Sequence, residues 1–325
     1  MDKEKVLDCI NCGKCTKECS FLNKHELNLS HFSKREDLAY NCFLCGKCAE
    51  VCPKDIHGKK IAMKMRRKLV EEKGGVMPEK GYEILLAEKN PYKFSNYRKG
   101  NRKSVIFAGC NFPSFFPKTT NHLVKLLKQE EIGVIYECCG KPVEELGLFR
   151  DVEISIKNIN KKLKTMGVEE VIMVCPNCYH FLQGKLDVKI ISIYEKLDSL
   201  NLGKKIEIEK IPMYYPCPDR KNKEIMADIR KFLLGEEIDG FPKTQCCGCG
   251  GCASKNEGDL CVEMAKSVAN TEHDILFTYC ASCISNYKRK GFTKAYHMLP
   301  LILGIEEQVP LKIRPFINRA ICKFK

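Results

Sequence analysis

Two cysteine runs near the start of this 325-residue chain decide how its first segment folds. Residues 9–19 read CINCGKCTKEC, and residues 42–53 read CFLCGKCAEVCP. Both contain the pattern C-x2-C-x2-C-x3-C, and a proline follows the second run only. Cysteines at these intervals are typical of thiolate ligands, either to iron–sulfur clusters or to zinc.

The pairing of the two runs favours iron–sulfur clusters. In the bacterial-type ferredoxin run, three close thiolates hold one cubane [4Fe–4S] cluster and the fourth thiolate crosses to the other cluster. We therefore predict that one cubane is held by Cys9, Cys12, Cys15 and Cys52, and the other by Cys42, Cys45, Cys48 and Cys19. A pair of zinc sites is the alternative, but eight ligands in two matching runs are hard to obtain as zinc knuckles. Ser20 replaces the expected proline after Cys19, which affects the turn more than the ligand.

The amino-acid composition indicates the cellular compartment and the class of partner. The chain has 22 cysteines, a net charge of +14 and 44% hydrophobic residues. It begins without the apolar stretch of a signal peptide and contains no apolar window long enough to span a membrane. We therefore expect a cytoplasmic protein with reduced thiols, with any membrane association made through a partner. The lysines are scattered rather than gathered on one stripe, and bound clusters would offset positive charge, so nucleic acid is not an expected partner.

Cysteine distribution divides the chain into five parts. We predict a largely helical, α+β ferredoxin-like two-cluster domain at 1–57 and a helical basic linker at 58–103. Two α/β cysteine-rich repeats follow at 104–203 and 204–305, and a basic tail occupies 306–325. In the linker, the stretch KKIAMKMRRKLVEEKGG predicts a helix closed by Gly74 and Gly75. In the first domain, SKREDLAY predicts a short helix between the two runs.

The two repeats share one order of elements: strand–Cys, helix, Cys-Cys-Gly, helix, strand–C-x2-C. The gaps before the vicinal pair are 27 and 28 residues, and those after it are 35 and 32. The first repeat includes a long predicted helix at about 144–166, and the second a helix at 222–234. Because parallel strands end at one edge of a sheet, we expect five thiols per repeat to converge at the carboxyl edge of a small parallel sheet. They are Cys110, Cys138, Cys139, Cys175 and Cys178, and then Cys217, Cys246, Cys247, Cys280 and Cys283.

These motifs resemble a known family. Two C-x(n)-C-C-G-x(n)-C-x2-C units after a two-cluster domain resemble the cysteine-rich (CCG) domains of heterodisulfide reductase, and the order is similar to that of its D-type catalytic chain. The iron–sulfur subunits of anaerobic glycerol-3-phosphate dehydrogenase and glycolate oxidase are also similar, over residues 5–305. A weaker similarity lies in Asn90-Pro91-Tyr92. The resemblance implies that the five-cysteine sets hold one or two noncubane [4Fe–4S] clusters, which split a disulfide reductively in heterodisulfide reductase.

The chain departs from that family at the second repeat. Many relatives have a histidine after the cysteine that corresponds to Cys217, where this chain reads Pro-Asp-Arg. The sequence CCGCGGC adds Cys249 and Cys252, and Cys261 and Cys322 are also extra thiols. Each is a spare ligand, a redox-active thiol or a buried small side chain. A zinc site in either repeat stays an alternative. We expect His180, two residues after Cys178, on a helix surface rather than at a metal.

No G-x-G-x-x-G or Walker sequence occurs, so no flavin, NAD or ATP site is expected in this chain. We predict an iron–sulfur oxidoreductase subunit that passes electrons from the cubanes to the repeats and reduces a small disulfide, or takes a thiol as its substrate. The electron partner would be a flavoprotein, a ferredoxin or a membrane cytochrome. The alternative is an electron-transfer subunit of a flavoprotein dehydrogenase acting on a 2-hydroxy acid or glycerol 3-phosphate, and a cluster-assembly or scaffold role is left open.

The basic tail allows contact with a membrane surface or a partner, since Lys312, Arg314, Arg319, Lys323 and Lys325 alternate with apolar residues. We expect it instead to pack against the body of the protein, with Pro315 interrupting its helix.

Overall fold

The computed structural model describes residues 6–325, so residues 1–5 of the predicted first domain lie outside the described residues. The amino-terminal part consists of short helices between cysteine loops. They are α1 (Lys14–Glu18), α2 (Ser20–Lys24), α3 (Leu29–Phe32), a 3-10 helix (Glu36–Asn41) and α4 (Lys47–Glu50). The predicted helix over SKREDLAY is therefore replaced by the 3-10 helix. Gly13 and Gly46 precede α1 and α4 with φ of 70° and 80°, a conformation that glycine adopts without steric cost and that turns each cysteine loop into its helix.

The linker consists mainly of helix α5 (Gly58–Glu72) and helix α6 (Glu83–Lys89). In α5, Ile61, Ala62 and Met65 are buried, because they lie on one face of a helix with 3.6 residues per turn. The helix ends as predicted: the N–H of Gly75 donates to the Val70 carbonyl at 2.8 Å, and Gly74 and Gly75 have positive φ.

Arg66 of α5 is fully buried and joins three parts of the chain through backbone carbonyls. Its guanidinium donates to Cys42 O at 2.9 Å in the first domain, to Glu145 O at 2.5 Å in the first repeat and to Gly251 O at 2.7 Å in the second repeat. A buried charge needs such partners, so these carbonyls are held where the guanidinium fork reaches them.

The first repeat contains a five-stranded sheet in the order β1-β3-β2-β4-β5, in which only β1 is antiparallel to its neighbour. Its elements are β1 (Asn96–Lys99), β2 (Ser104–Phe107), α7 (Phe112–Phe115), α8 (Pro117–Lys128), β3 (Gly133–Tyr136), α9 (Lys141–Glu145), α10 (Phe149–Thr165), β4 (Glu170–Met173), α11 (Pro176–Leu182), β5 (Lys189–Ser192) and α12 (Ile193–Ser199). Val105 pairs with Val171 in register, and both are fully buried. The prediction of a helical linker at 58–103 is wrong at its end, because strand β1 lies within that segment.

The single long helix predicted at about 144–166 is wrong. The chain instead forms α9 and α10, which are separated at Gly147. Gly147 has a φ of 94°, and a Cβ built there would lie 2.6 Å from the carbonyl oxygen of Arg66. The close approach of α5 thus requires a glycine and breaks the helix.

The second repeat contains a four-stranded parallel sheet in the order β7-β6-β8-β9. Its elements are β6 (Lys210–Met213), α13 (Glu224–Arg230), β7 (Glu236–Asp239), a 3-10 helix (Gly250–Lys255), α14 (Gly258–Lys266), a 3-10 helix (Ser267–Asn270), β8 (Leu276–Thr278), α15 (Ala281–Arg289), β9 (Ala295–His297) and α16 (Met298–Ile302). Helix α13 is shorter than the helix predicted at 222–234. The order matches β3-β2-β4-β5 of the first sheet strand for strand, so the repeated α/β pattern read from the sequence is confirmed.

The tail forms helix α17 (Arg314–Cys322), which packs on α7 of the first repeat. The Asn318 side chain donates to Ser114 O at 2.9 Å, so the expected packing is confirmed for this face of α17. Pro315 lies in the first turn, where a helix N–H has no partner in any case, and it begins the helix rather than interrupting it. Across residues 6–325, no helix has both the length and the apolarity needed to cross a membrane.

Candidate metal centres

The first predicted cubane set comes together around one small cavity, here called the outer site. Cys9, Cys12, Cys15 and Cys52 all line it. Cys52 reaches the set because α4 turns the chain back, and its Sγ accepts a hydrogen bond from the Ile56 N–H at 3.4 Å. Cys12 is exposed, so the outer site opens to solvent.

The second predicted set, the inner site, is made of Cys42, Cys45, Cys48 and Cys19. These thiols interact with one another, and burial raises the pKa of Cys19 and Cys48 and brings that of Cys42 to about 11. Cys45 differs, because a hydrogen bond from the Cys246 thiol and the charge of Arg220 lower its pKa to about 6. One thiol of the inner site therefore reaches the second repeat.

Gln245 of the second repeat covers the inner site. Its amide nitrogen donates to Cys19 Sγ at 3.6 Å and to Cys45 Sγ at 3.5 Å. Its carbonyl oxygen accepts from the Ser20 N–H at 2.7 Å. Gln245 directly precedes the vicinal cysteines, and no pattern in the sequence singled it out.

The five thiols of the first repeat form a continuous series of interacting side chains at the carboxyl edge of the sheet. The order of contact is Cys110, Cys138, Cys139, Cys178 and Cys175. Hydrogen bonds from Cys138 and Cys178 lower the pKa of Cys139 to about 5. The expected convergence of these five residues is therefore seen in the structure, because β2, β3 and β4 all end at this edge.

The second repeat shows the same series in the same order. It runs through Cys217, Cys246, Cys247, Cys283 and Cys280, and the Cys217 and Cys246 sulfurs are 4.0 Å apart. Hydrogen bonds from its neighbours lower the pKa of Cys247 well below its ordinary value. In both repeats, then, neighbouring thiols lower the pKa of the second thiol of the vicinal pair, which favours its thiolate form.

One cavity of about 460 Å³, here called the cleft, opens between the two repeats. Its lining includes nine of the ten repeat cysteines together with Cys45 of the inner site. The exception, Cys138, is packed with Cys110 against Tyr92. The repeats meet across the cleft, since the Asn111 amide donates to Ser282 Oγ at 2.7 Å and the Asn177 amide to Cys280 Sγ at 3.6 Å. Two thiol sets therefore face a single space.

Three lysines also line the cleft: Lys59, Lys89 and Lys141. Lys89 pairs with Glu88 at 2.7 Å, and Lys141 pairs with Glu145. Burial and the charge of Lys141 lower the pKa of Lys59. The ammonium group of Lys59 thus faces the cleft beside a like charge, which favours an anion there.

Arg220 and Asp219 are polar residues of the site that no sequence pattern singled out. The Arg220 guanidinium donates to Cys217 Sγ at 3.3 Å and helps to lower the pKa of that thiol. Asp219 is fully buried and accepts from the Tyr279 hydroxyl at 2.5 Å. His180 lies 2.8 Å from Asp219 through its Nε2 atom, so it joins the two repeats across their interface rather than lying free on a helix surface.

The linker contributes to the first repeat's thiol set. Asn90 and Pro91 are joined by a cis peptide bond, and the Asn90 amide donates to Asp151 Oδ2 at 2.6 Å. Tyr92 is buried against Cys110 and Cys138. The Asn-Pro-aromatic element therefore lies beside the candidate cluster ligands.

The four extra cysteines fall into two groups. Cys249 and Cys252 line the cleft, and Cys249 interacts with Cys247. Cys261 and Cys322 are buried, and neither lines the cleft. Cys261 accepts a hydrogen bond from the Asn286 amide at 3.7 Å, and Cys322 is the last residue of α17, with its side chain buried.

The donor sets fit iron–sulfur clusters. The outer site offers four thiols that line one cavity, the inner site offers four thiols that interact with one another, and each repeat offers five, which is the soft donor chemistry that iron–sulfur clusters take. The zinc alternative for the repeats uses the same thiols as ligands. Because zinc and iron–sulfur clusters share thiolate ligands, metal analysis decides between them.

Comparison with known proteins identifies the parts of the chain. Residues 8–56 match the model of the 4Fe-4S dicluster domain, and residues 104–183 and 211–288 each match that of the cysteine-rich (CCG) domain. The chain is similar to uncharacterised iron–sulfur proteins of Methanococcus maripaludis, at 24% identity, and of Methanocaldococcus jannaschii, at 25% identity. It is 22% identical to the B-type chain of fumarate reductase (CoM/CoB) of Methanothermobacter marburgensis. Each match covers 87% of this chain and 67% of the relative.

Two solved structures align with part of the chain. Glutamate racemase isoform RacE1 of Bacillus anthracis covers 62% of this chain and 77% of its own, with 13% identity and a TM-score of 0.32. An aspartate racemase homologue of Pyrococcus horikoshii covers 62% and 96%, with 12% identity and a TM-score of 0.29. These TM-scores do not indicate a shared fold.

Proposed function

Because this chain belongs to the iron–sulfur proteins that join a 4Fe-4S dicluster domain to two cysteine-rich CCG domains, we propose that it is an oxidoreductase subunit that reduces a disulfide in the cleft. Electrons would reach the cleft through two cubane clusters, held at the outer and inner sites, and noncubane clusters would be held by the repeats. The observation that carries the proposal is the cleft itself, which is lined by thiols of both repeats and of the inner site.

The order of the sites supports this direction of transfer. The outer site opens to solvent through Cys12, which suits exchange with a flavoprotein, a ferredoxin or a membrane cytochrome. The inner site is covered by Gln245, and its Cys45 interacts with Cys246 of the second repeat. The proposed path therefore enters the cleft at the second repeat, whose set is in contact with the inner site.

Reduction of the disulfide R–S–S–R′ takes two electrons and two protons and yields RSH and R′SH. When bound, the repeat clusters supply electrons one at a time and an iron centre that takes up sulfur. Side chains in and beside the cleft would assist this reduction. Arg220 holds positive charge at Cys217, and Pro142, Pro216 and Pro218 form walls without side-chain hydrogen-bonding groups. The Nζ atom of Lys59 would bind an anionic group of the substrate, and the lowered pKa of Lys59 suits it to deliver a proton to a departing thiolate.

A second candidate is an electron-transfer subunit whose chemistry takes place on another subunit. The observation in its favour is the similarity to a chain named as one subunit of a fumarate reductase (CoM/CoB). In that case a flavoprotein partner would act on a small organic acid or glycerol 3-phosphate, and this chain would only conduct electrons.

The experiment that separates the two candidates uses the purified chain with its clusters and a low-potential dye as electron donor. Thiol release from anionic and neutral disulfides is expected without any added flavoprotein. Cys139→Ala and Cys247→Ala should abolish release while the amino-terminal clusters still reduce. Cys322→Ala, a buried cysteine outside the cleft, is the matched control and should retain turnover. If clusters reduce and reoxidise but no disulfide of either kind is consumed, the chain is a conduit.

A further inference from the structure

The tail carries an unusual density of exposed apolar side chains. Thirteen large hydrophobic side chains are exposed in the described chain, and six of them lie within residues 311–324. They are Leu311, Ile313, Phe316, Ile317, Ile321 and Phe324. Scattered exposed hydrophobics are ordinary, whereas a group of this size on one segment marks an interaction surface.

Helix α17 is held so that this group points outward. Pro315 and Cys322 are buried against the body. On the same side, Arg319 donates to Ser114 Oγ at 3.1 Å and to Glu88 Oε2 at 3.0 Å. One face of α17 is therefore fixed by packing and polar contacts, and the opposite face has a defined orientation.

The outward face is an apolar stripe with basic borders. At 3.6 residues per turn, Ile313, Ile317 and Ile321 fall within roughly 80° of the helix circumference. Arg314 borders the stripe on one side and Lys323 on the other, both exposed. Residues 308–325 include five basic side chains and no acidic one. The stripe thus combines apolar surface with positive charge, the pattern of helices that lie in a lipid interface.

We propose that α17 lies flat on an anionic lipid surface, with Ile313, Ile317 and Ile321 in the headgroup boundary. The positive borders match anionic headgroups. A second copy of this chain is disfavoured as the occupant, because a symmetric contact would place like charges against each other. A bilayer also accepts a convex helix face without a complementary groove. The proposal is independent of the chemistry in the cleft, and it gives the chain a peripheral attachment rather than a membrane span.

The test measures binding of the full chain to vesicles by sedimentation. Phosphatidylcholine vesicles containing one third phosphatidylglycerol should bind it, and pure phosphatidylcholine vesicles should bind at least tenfold less. The double variant Ile317→Ser, Ile321→Ser and the double variant Arg314→Gln, Lys323→Gln should each lower binding at least tenfold. Ile154→Ser, at an isolated exposed isoleucine of α10, should bind like the parent. Melting temperatures confirm that all variants fold.

A second measurement reports the contact itself. The chain contains no tryptophan, so Phe324→Trp introduces a single reporter beside the stripe. Its emission should shift to shorter wavelength with anionic vesicles, while that of Ile154→Trp should not. Absence of vesicle binding overturns the proposal, as does equal binding to neutral vesicles. Self-association or binding of an acidic protein through these isoleucines, without lipid binding, also overturns it.

Discussion

Cys45 is the residue at which the proposed electron path changes domain. It belongs to the inner site, accepts a hydrogen bond from Gln245 and interacts with the Cys246 thiol of the second repeat. It also lines the cleft. A single side chain therefore contacts both a cubane site and a repeat set, which keeps the distance between the two proposed clusters short.

Crossed ligation is the first prediction at the residue scale. Cys52→Ala should damage the cluster of Cys9, Cys12 and Cys15, because Cys52 lines the outer site with them. Cys19→Ala should damage the cluster of the inner site, whose other thiols interact with Cys19. Electron paramagnetic resonance of the reduced variants distinguishes the outer cluster from the inner one. A paramagnetic relaxation agent added to the solution should affect the signal of the outer cluster more strongly, because the outer site opens to solvent. If each substitution disturbs only the cluster of its own cysteine run, the crossed assignment is wrong.

At the scale of elements, the break between α9 and α10 shows how packing overrides a helical pattern. Residues 144–166 have helical periodicity, yet Gly147 has a φ of 94° and lies against the backbone of Arg66. This contact brings α5 close enough for Arg66 to reach the Glu145 carbonyl. A continuous helix would separate the linker from the first repeat.

The corresponding prediction is that Gly147→Ala destabilises the protein by about 3–4 kcal/mol, because it combines a left-handed backbone with a steric clash. Gly184→Ala is the matched control, since Gly184 has a φ of 69° but no atom within 4 Å of the Cβ that alanine would add. The control should cost about 1–2 kcal/mol, from backbone strain alone. Thermal unfolding followed by circular dichroism under anaerobic conditions measures both. Equal losses would show that the contact with Arg66 is unimportant.

For the whole molecule, four candidate sites lie in one connected series. The outer and inner sites share the first domain, Cys45 links the inner site to the second repeat, and the cleft joins the two repeats. Arg66 fixes the three parts to one another through its buried guanidinium. The arrangement brings the electron path and the proposed reaction site into one connected unit.

Metal content tests this arrangement as a whole. Two cubane and two noncubane [4Fe–4S] clusters predict about 16 irons per chain with negligible zinc, after strictly anaerobic purification. About 12 irons would assign a noncubane cluster to one repeat only. About 8 irons with stoichiometric zinc would contradict the noncubane assignment and leave only the amino-terminal clusters. Elemental analysis by mass spectrometry gives both values.

Much of the local organisation was already determined by the sequence. The helix of residues 58–72, its end at Gly74 and Gly75, and the two α/β repeats follow from apolar periodicity and turn residues, which act over a few positions. The cysteine spacings likewise predicted which thiols would lie together, because ligands at fixed short intervals can close around one centre. The ligand sets themselves stay predictions until metal is measured.

Only the tertiary structure decided how these units face one another. Gln245 covers thiols that lie 226 and 200 residues away in the chain, and Lys59 of the linker lines the cleft between the repeats. Arg66 likewise donates to Cys42, Arg220 donates to Glu50, and His180 pairs with Asp219, and in each case the partner lies in a separate segment of the chain. No local pattern marks such residues, because their partners are set by how separate segments pack. The orientation of α17, with its buried and its exposed face, was decided for the same reason.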